Sequence, residues 1–585
     1  MAHNRVALPG AASVLRGPIS GAFRQAFSQQ NALIACLVLV LGFMVLYPIL
    51  AVIVNSLLPS RTFDGAGLDA WARAFSDPDV IDSIVNTLKV QIANQGISLP
   101  LAIVIAWVLA RTDVPFGRWI EFGFWILFFL PALGVTTGWL LFFDPNYGLV
   151  NKWLIDLGIV DSAPFNMYSY WGIVFAHLTT YAVSVKVMLL TPAFRNLDGA
   201  IEEAARMCGA STMAAFFRIV IPILTPAIFV VFLMSLIRGL EAFEIELFLG
   251  VPINFFVYST KIFQFVAHAP PAYAEGSALA TAILVLMLPL IILQRWAATR
   301  RSYAVVSGRY TAGVNRLGRA RWPVFAAIVL LVVFMSLVPL GLLVAGSFMK
   351  LFGFFGLPEL WTLDHWRHAI ADVTFTQAFR NMLVLGFGTS LCAVAVYVFV
   401  AYCTVRVKSV WKAPLDVLTW LPLTIPGIIL GFGYLFMVIQ VPVFEPLYGT
   451  IGVMILVSFL GAMTLGVQVI KVHMLQLGNE IEEAGRTAGA SWFSTFCRVI
   501  LPLTAPSLAV VGVLVFASTI RQIGSVILVS TGETRVLAVL QLDFLTDGRL
   551  GPAAVIGTII VLISLIAALV IRVISVRFGV RTGGA

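Results

Sequence analysis

Runs of about twenty apolar residues recur along the whole chain, and they leave few folds open to it. Hydrophobic residues make up 60% of the 585 residues, whereas charged residues make up only 11%. A typical soluble domain carries about 25% charged residues. Because so much apolar surface cannot be buried inside one globule, the natural solvent for this chain is a lipid bilayer. We therefore predict an all-α polytopic membrane protein.

A membrane helix needs about 20 mostly apolar residues, and the chain contains twelve candidate spans in two sets of six. The first set is predicted at about 31–58, 86–110, 119–143, 167–190, 223–247 and 276–296. The second set is predicted at about 322–348, 381–405, 413–440, 449–475, 503–530 and 552–576. The expected architecture is about twelve transmembrane helices.

Basic residues collect in alternate links between the spans. Arg111 and Arg206 lie in such links in the first half, and Arg406 and Arg486 lie in the corresponding links of the second half. By the positive-inside rule these links are cytoplasmic, and so are both chain termini. The net charge of +9 is spread over these short loops rather than gathered on one face, which argues against a nucleic-acid partner.

A polar segment occurs twice, 280 residues apart. It reads EEAARMCGAS over residues 202–211 and EEAGRTAGAS over residues 482–491. The surrounding stretches, residues 198–220 and 478–500, are called the first and second polar loops below. Other positions repeat at offsets of 291 and 295 residues; they include Pro48 with Pro339, Arg111 with Arg406, Pro131 with Pro426, and Gly138 with Gly433. The chain is therefore a tandem duplication.

Each half contains an even number of spans, so the two repeats should run parallel. Parallel repeats are related by an axis along the membrane normal, and a transport pathway is expected at their interface. We assign residues 1–300 to the first repeat, with a core at about 82–296, and residues 301–321 to a cytoplasmic linker. Residues 322–585 form the second repeat, with a core at about 377–576.

Each polar loop has the sequence of a helix, a tight turn and a second helix. Gly209 suits a left-handed position that ends the first helix, and Ser211 can cap the second. Gly489 and Ser491 repeat this arrangement in the second half. Each repeat should therefore present a rigid projection on the cytoplasmic surface, suited to receiving force from a partner.

This pattern resembles the coupling loop of permeases in binding-protein-dependent type I ABC importers. The motif residues are Glu203, Ala204, Ala205, Gly209 and Pro222 in the first copy, and Glu483, Ala484, Gly485, Gly489 and Pro502 in the second. The fused, two-repeat layout further resembles the iron(III) transport permeases, through residues 237–244, 249–262 and 306–309. The resemblance implies that these motif residues couple the chain to an ATPase.

The resemblance also implies a function and a set of partners. The chain would be a multi-pass permease of the bacterial inner membrane, forming the pathway for a solute brought by an extracytoplasmic binding protein. Ferric iron is the first expectation, and thiamine, a phosphonate or a polyamine stay open. Two copies of a cytoplasmic ATPase subunit would carry ATP and Mg²⁺. The chain itself would then need no cofactor and would not be an enzyme.

The residues leave one alternative class open, an ion-coupled secondary transporter. Such a protein should carry coupling ions on carboxylates near the bilayer midplane, and the deep spans contain few acidic residues. A membrane scaffold would leave the paired polar loops unexplained. No lysine follows a glycine, which excludes a phosphate-binding P-loop in this chain.

Ionisable residues near membrane depth suggest a substrate pathway. The candidates are Arg238, Glu241 and Glu244 in the first half, and Arg521 and Gln522 in the second. Acidic groups would favour a cation, whereas the arginines would favour an anion or an anion-chelated metal. The alternative is that Arg238 only pairs with a glutamate one turn away. His365 and His368 have no visible third ligand, so no metal site is predicted.

The third span of each half contains proline and several glycines. The residues are Pro131, Gly134 and Gly138 in the first half and Pro426, Gly427, Gly431 and Gly433 in the second. Small residues allow helices to approach closely in lipid, and proline can kink a helix. We expect close packing at these positions, with a gate as the alternative.

Overall fold

The computed structural model describes residues 29–57, 67–300 and 315–578, and helices dominate all three ranges. Apart from two isolated bridges, these residues contain no β-structure. The helices of the first repeat are α1 Gln29–Leu57, α2 Asp69–Ser76, α3 Pro78–Arg111, α4 Gly117–Phe129, α5 Ala132–Phe143, α6 Leu149–Asp156, α7 Tyr170–Arg195, α8 Gly199–Met207, α9 Thr212–Leu240, α10 Glu244–Leu249, α11 Tyr258–Ala267 and α12 Tyr273–Arg300.

The second repeat follows the same order with two fewer short helices. Its helices are α13 Arg321–Phe348, α14 Asp364–Ala371, α15 Val373–Arg406, α16 Lys412–Trp420, α17 Gly427–Gln440, α18 Ile451–Gln476, α19 Glu480–Thr487, α20 Trp492–Thr519, α21 Leu537–Thr546 and α22 Leu550–Phe578. Within the described residues, ten helices are long and apolar enough to cross a membrane, or up to twelve if each bent pair counts as one span. The all-α prediction with about twelve spans is confirmed.

The third span of each repeat is broken rather than continuous. Helices α4 and α5 meet at 99°, and the corresponding segments around Pro426 meet at 111°. Pro131 and Pro426 stand at the N-terminal caps of the second segments. A proline has no backbone N–H to continue the preceding helix, which explains the position of both breaks.

Two predicted spans were too long at their C-terminal ends. The fifth span was predicted to reach residue 247 and the eleventh residue 530, but α9 ends at Leu240 and α20 at Thr519. The following residues turn back into the protein, and Ile245, Phe248 and Val526 are buried there. Hydropathy could not locate these ends, because a segment buried in protein is as apolar as one that faces lipid.

The first helix of each repeat packs against the broken span of the other repeat. Gly138 in α5 lies directly against the backbone of Pro339 in α13, and Gly433 in α17 lies against the backbone of Pro48 in α1. A Cβ at either glycine would collide with that backbone. These four residues occupy matching repeat positions, so the two close approaches are equivalent. The expected close packing is found, and it joins the repeats.

The end of the predicted linker packs on the first repeat. Residues 301–314 lie outside the described residues, but Asn315 forms a bridge with Thr112, just beyond the end of α3. The Asn315 N–H donates to the carbonyl of Arg111 at 2.8 Å. The Leu317 N–H donates to the Asp113 carboxylate at 2.7 Å. Residues 1–28 and 579–585, on which the orientation of the termini depends, also lie outside the described residues.

Candidate functional site

The first polar loop is a short helix, a glycine turn and a long second helix. The Asp198 side chain caps α8 by accepting the N–H of Ala200. Gly209 follows the end of α8 and forms the turn. Its φ of +86° lies in the left-handed region, which glycine adopts without strain. The Ser211 hydroxyl then accepts the N–H of Ala214 and caps α9. The predicted local structure is therefore found.

The second polar loop repeats this geometry. Gly489 has φ of +83°, and the Ser491 hydroxyl accepts the N–H of Ser494. In both loops a π-helical turn follows, at Phe216–Val220 and Phe496–Ile500. Pro222 and Pro502 stand at the second position beyond these turns. Since proline cannot donate a hydrogen bond to the preceding turn, a widened π turn accommodates it there.

A buried arginine–glutamate pair lies beneath each polar loop. Arg111, at the end of α3, contacts the Glu202 carboxylate at 2.8 Å and donates to the carbonyl of Leu197 at 2.9 Å. Arg406, at the end of α15, contacts Glu482 at 3.4 Å and donates to the carbonyl of Leu477. Each ion pair fixes a polar loop to the second span of its own repeat.

Sequence reasoning missed these two anchors, although the signal was present. Arg111 and Arg406 match at an offset of 295 residues, and Glu202 and Glu482 match at 280. By the positive-inside rule alone, these arginines indicate only the cytoplasmic side of the membrane. A cation and a carboxylate that both recur at the repeat offsets indicate an ion pair in each repeat, whereas a topology marker needs no fixed position.

The outer surface of each polar loop is exposed. The side chains of Glu203, Ala204, Glu483 and Ala484 are solvent-accessible, while Ala205 and Gly485 are half-buried. Large apolar side chains accompany them: Met207, Met213 and Phe217 on the first loop, and Ile481 and Phe493 on the second. Clustered exposed apolar residues rimmed by charges are typical of a protein-binding surface.

The predicted pathway residues fall into two groups. Arg521 and Glu244 reach across the interface between repeats: Arg521 donates to the carbonyl of Phe128 at 2.5 Å, and Glu244 accepts the N–H of Ile523 at 3.2 Å. The Phe128 carbonyl lies at the end of α4, beside the break in the third span. Arg521 therefore binds the negative end of a helix that belongs to the other repeat.

The other predicted pathway residues lie against neighbours in their own repeat. Arg238 pairs with Glu241 at 3.0 Å, three residues along the chain, which is the alternative that the sequence left open. Gln522 is half-buried next to Arg521, and its side-chain nitrogen would lie 3.5 Å from a Cβ at Gly461. No described residues form a group of three or more His, Cys, Asp or Glu side chains able to hold a metal ion.

Two further buried polar contacts involve ionisable residues of α7. His177 meets the Glu246 carboxylate at 2.6 Å, and both side chains are buried. The Lys186 ammonium donates to the hydroxyl of Ser98 at 2.7 Å and to the carbonyl of Ala182 at 3.1 Å. The sequence signal for the second contact is a single lysine inside the apolar run of α7. An ionisable residue within a membrane span pairs with another side chain or with a backbone carbonyl, so a polar partner is expected there.

Comparison with known proteins matches the sequence of the second repeat to a family. Residues 393–580, which include the second polar loop, match the family model described as the binding-protein-dependent transport system inner membrane component. This part of the chain, in the second repeat, belongs to that permease family. With its multiple apolar helices, this permease is a multi-pass inner-membrane protein.

Individual relatives extend the similarity over most of the permease. The ferric transport system permease protein FbpB of Actinobacillus pleuropneumoniae is 26% identical over 404 residues, which cover 68% of this chain and 57% of that protein. FbpB 1 of Haemophilus influenzae is 26% identical over 517 residues, covering 86% of this chain and 78% of that protein. The molybdenum transport system permease protein ModB of Escherichia coli is 33% identical over 154 residues, which cover 24% of this chain and 66% of ModB.

Proposed function

We propose that this permease forms the translocation pathway of an ATP-driven importer and that its solute is ferric iron. The observation that carries the transport mechanism is the pair of equivalent polar loops, each anchored below by a buried ion pair and exposed above. The name of the Actinobacillus relative supports ferric iron as the solute. Thiamine, a phosphonate and a polyamine are the competing solutes.

The exposed surfaces of the polar loops would each bind one cytoplasmic ATPase subunit. Met207 is 89% exposed and Phe493 is 63% exposed, so both side chains have apolar area to bury against a partner. Each loop leads directly into a long helix, α9 or α20. A displacement of either loop would therefore be carried into the membrane as a helix movement.

The pathway would lie between the two repeats. The contacts of Arg521 with the end of α4 and of Glu244 with Ile523 both cross that interface. Moving the repeats apart must break both contacts and free one cation and one carboxylate. An extracytoplasmic binding protein would deliver the solute to the side opposite the polar loops, and ATP binding and hydrolysis on the partner subunits would alternate the access.

Two glycines offer a sharp test of this coupling. Gly209 and Gly489 have positive φ, and a Cβ at either would meet no atom within 4 Å. A valine there would strain the turn by about 1–2 kcal/mol, and its Cβ has open space around it. We expect Gly209→Val together with Gly489→Val to abolish co-purification of the ATPase subunit and ATP-driven ⁵⁵Fe uptake into proteoliposomes containing the binding protein.

Gly158 supplies the matched control. It also has positive φ, +66°, and open space around its Cβ position, but it lies beyond α6 in a different loop. Gly158→Val should leave uptake and ATPase association unchanged. Normal uptake by the double loop variant would contradict the coupling role. Uptake driven by an ion gradient in the absence of ATP would instead indicate a secondary transporter. ATP-driven uptake of another solute would contradict only the assignment of ferric iron and would leave the ATP-driven mechanism standing.

A further inference from the structure

An apolar groove opens between α4 and α13 on the outside of the helix bundle. Its volume is about 420 Å³, and every residue that lines it is apolar. The lining residues are Phe116, Trp119, Ile120, Phe325, Val329, Val332 and Val333. A groove of this kind on a membrane-facing surface suits a hydrocarbon chain rather than a polar solute.

Aromatic residues mark one end of this groove as the membrane interface. Phe116, Trp119 and Trp322 are all more than half exposed, and they stand where α4 and α13 begin. Tryptophan is enriched at the boundary between the hydrocarbon and the lipid headgroups. By the positive-inside rule the links that precede α4 and α13 are cytoplasmic, so this end of the groove is at the cytoplasmic leaflet.

Two arginines flank the same end of the groove. The Arg572 guanidinium, from α22, lies 4.4 Å from the centre of the Trp119 ring and 3.7 Å from that of Phe122. The Arg321 guanidinium lies 5.3 Å from the Trp322 ring, and Trp322 packs edge-on against Phe325 in the groove. Both cations are thus held beside the groove lining by aromatic rings.

Each of these arginines has a donor that lacks an acceptor. Among the described residues, Nη1 of Arg572 and Nε of Arg321 are buried and have no hydrogen-bond partner. A buried donor left without an acceptor is unfavourable, and more so when it is charged. A phosphate oxygen is the acceptor that a guanidinium binds most strongly.

We propose that this groove binds an anionic phospholipid of the cytoplasmic leaflet. One acyl chain occupies the apolar groove, and the phosphate accepts hydrogen bonds from Arg321 and Arg572. Basic pockets between transmembrane helices at the cytoplasmic side are suited to acidic headgroups. Because the site joins α4 of the first repeat to α13 and α22 of the second, a bound lipid would bridge the two repeats.

Native mass spectrometry of the purified full chain tests the headgroup contacts. The protein is incubated with equal amounts of phosphatidylglycerol and phosphatidylcholine, and the retained lipid is counted. The wild type should retain phosphatidylglycerol preferentially. Arg321→Gln and Arg572→Gln should each lower that retention about fivefold, since a basic residue at the surface contributes about 1 kcal/mol. Arg577→Gln, an exposed arginine near the end of α22, should not change it.

A second pair of variants tests the acyl chain. Val329→Trp fills the groove and should lower retention of phosphatidylglycerol with both arginines intact. Leu330→Trp adds similar bulk at a neighbouring position that is 69% exposed, and it should have no effect. Thermal unfolding of each variant checks that it is folded.

Three outcomes would overturn the proposal. Equal retention of the two lipids by the wild type would remove the headgroup selectivity. Displacement of the lipid by excess inorganic phosphate, together with normal retention by Val329→Trp, would indicate a simple anion site. A dimer of the chain that Val329→Trp dissociates would show that the groove is covered by a second copy instead.

Discussion

The two polar loops have closely similar backbones, but different residues complete their buried anchors. Beneath the first loop, Asn315 donates to the second oxygen of Glu202 at 2.7 Å. Beneath the second, the Tyr402 hydroxyl takes that role for Glu482 at 3.3 Å. The position that matches Tyr402 in the first repeat is Trp107, which packs on Phe216 as Tyr402 packs on Phe496 but has no hydroxyl to donate to the glutamate.

This difference follows from the fusion of the two repeats. Asn315 comes from the segment that connects them, so the connection covers the first anchor and leaves the second nearer to solvent. The side chain of Arg111 is fully buried, whereas that of Arg406 is 7% exposed. The first loop is thus held by its own repeat and by the linker, and the second by its own repeat alone. Substitutions beneath the first loop should therefore lower the free energy of unfolding more than substitutions beneath the second loop.

The largest effect is expected from Arg111→Gln. It leaves the Glu202 carboxylate buried without a cation, which costs about 3–5 kcal/mol. Arg406→Gln should cost about 1–2 kcal/mol, because the Arg406–Glu482 contact is longer, at 3.4 Å, and Glu482 lies nearer to water. Denaturant unfolding of the purified chain in mild detergent measures both free energies. Adding Glu202→Gln to Arg111→Gln should recover part of the loss, and equal losses for the two arginine variants would contradict the comparison.

A smaller and more local effect is expected from Asn315→Ala. It removes one donor from a buried carboxylate, which costs about 1–3 kcal/mol. Hydrogen exchange should rise in residues 199–211 and stay unchanged in residues 480–491. Asn166→Ala, in an exposed outer turn, is the control and should affect neither segment. A rise in both polar loops would show that the linker does not act on the first loop alone.

The sequence predicted much of these loops but not what holds them. Gly209 and Ser211 predict their turn, because glycine adopts the left-handed conformation there and serine caps the following helix. Such preferences are local and can be read from the sequence of a single chain. The partner of Glu202 cannot be read in that way, since Arg111 and Asn315 reach it from 91 and 113 residues away. For the same reason Pro131 predicted a disturbed helix, but the 99° bend depends on how both repeats pack around it.

Tyr402→Phe should have a still smaller effect and should act on the second loop. The ring contact with Phe496, at 4.9 Å between centroids, is kept, and only the hydroxyl bond to Glu482 is lost. The expected cost is about 0.5–1.5 kcal/mol. Hydrogen exchange should rise in residues 480–491 alone. A cost as large as that of Asn315→Ala would mean that the two anchors are equally dependent on their second donor.

The smallest effect is expected from Gly485→Ala, which makes the second polar loop more like the first. Gly485 lies inside α19, and a Cβ there would meet the Thr495 side chain at 3.4 Å, an ordinary van der Waals distance. Alanine is favoured over glycine inside a helix by about 0.8–1 kcal/mol. The variant should therefore raise the free energy of unfolding slightly and leave ATPase association and uptake unchanged. If uptake falls while stability rises, the glycine serves close approach of the ATPase subunit, and the two loops differ in their docking surface as well as in their anchors.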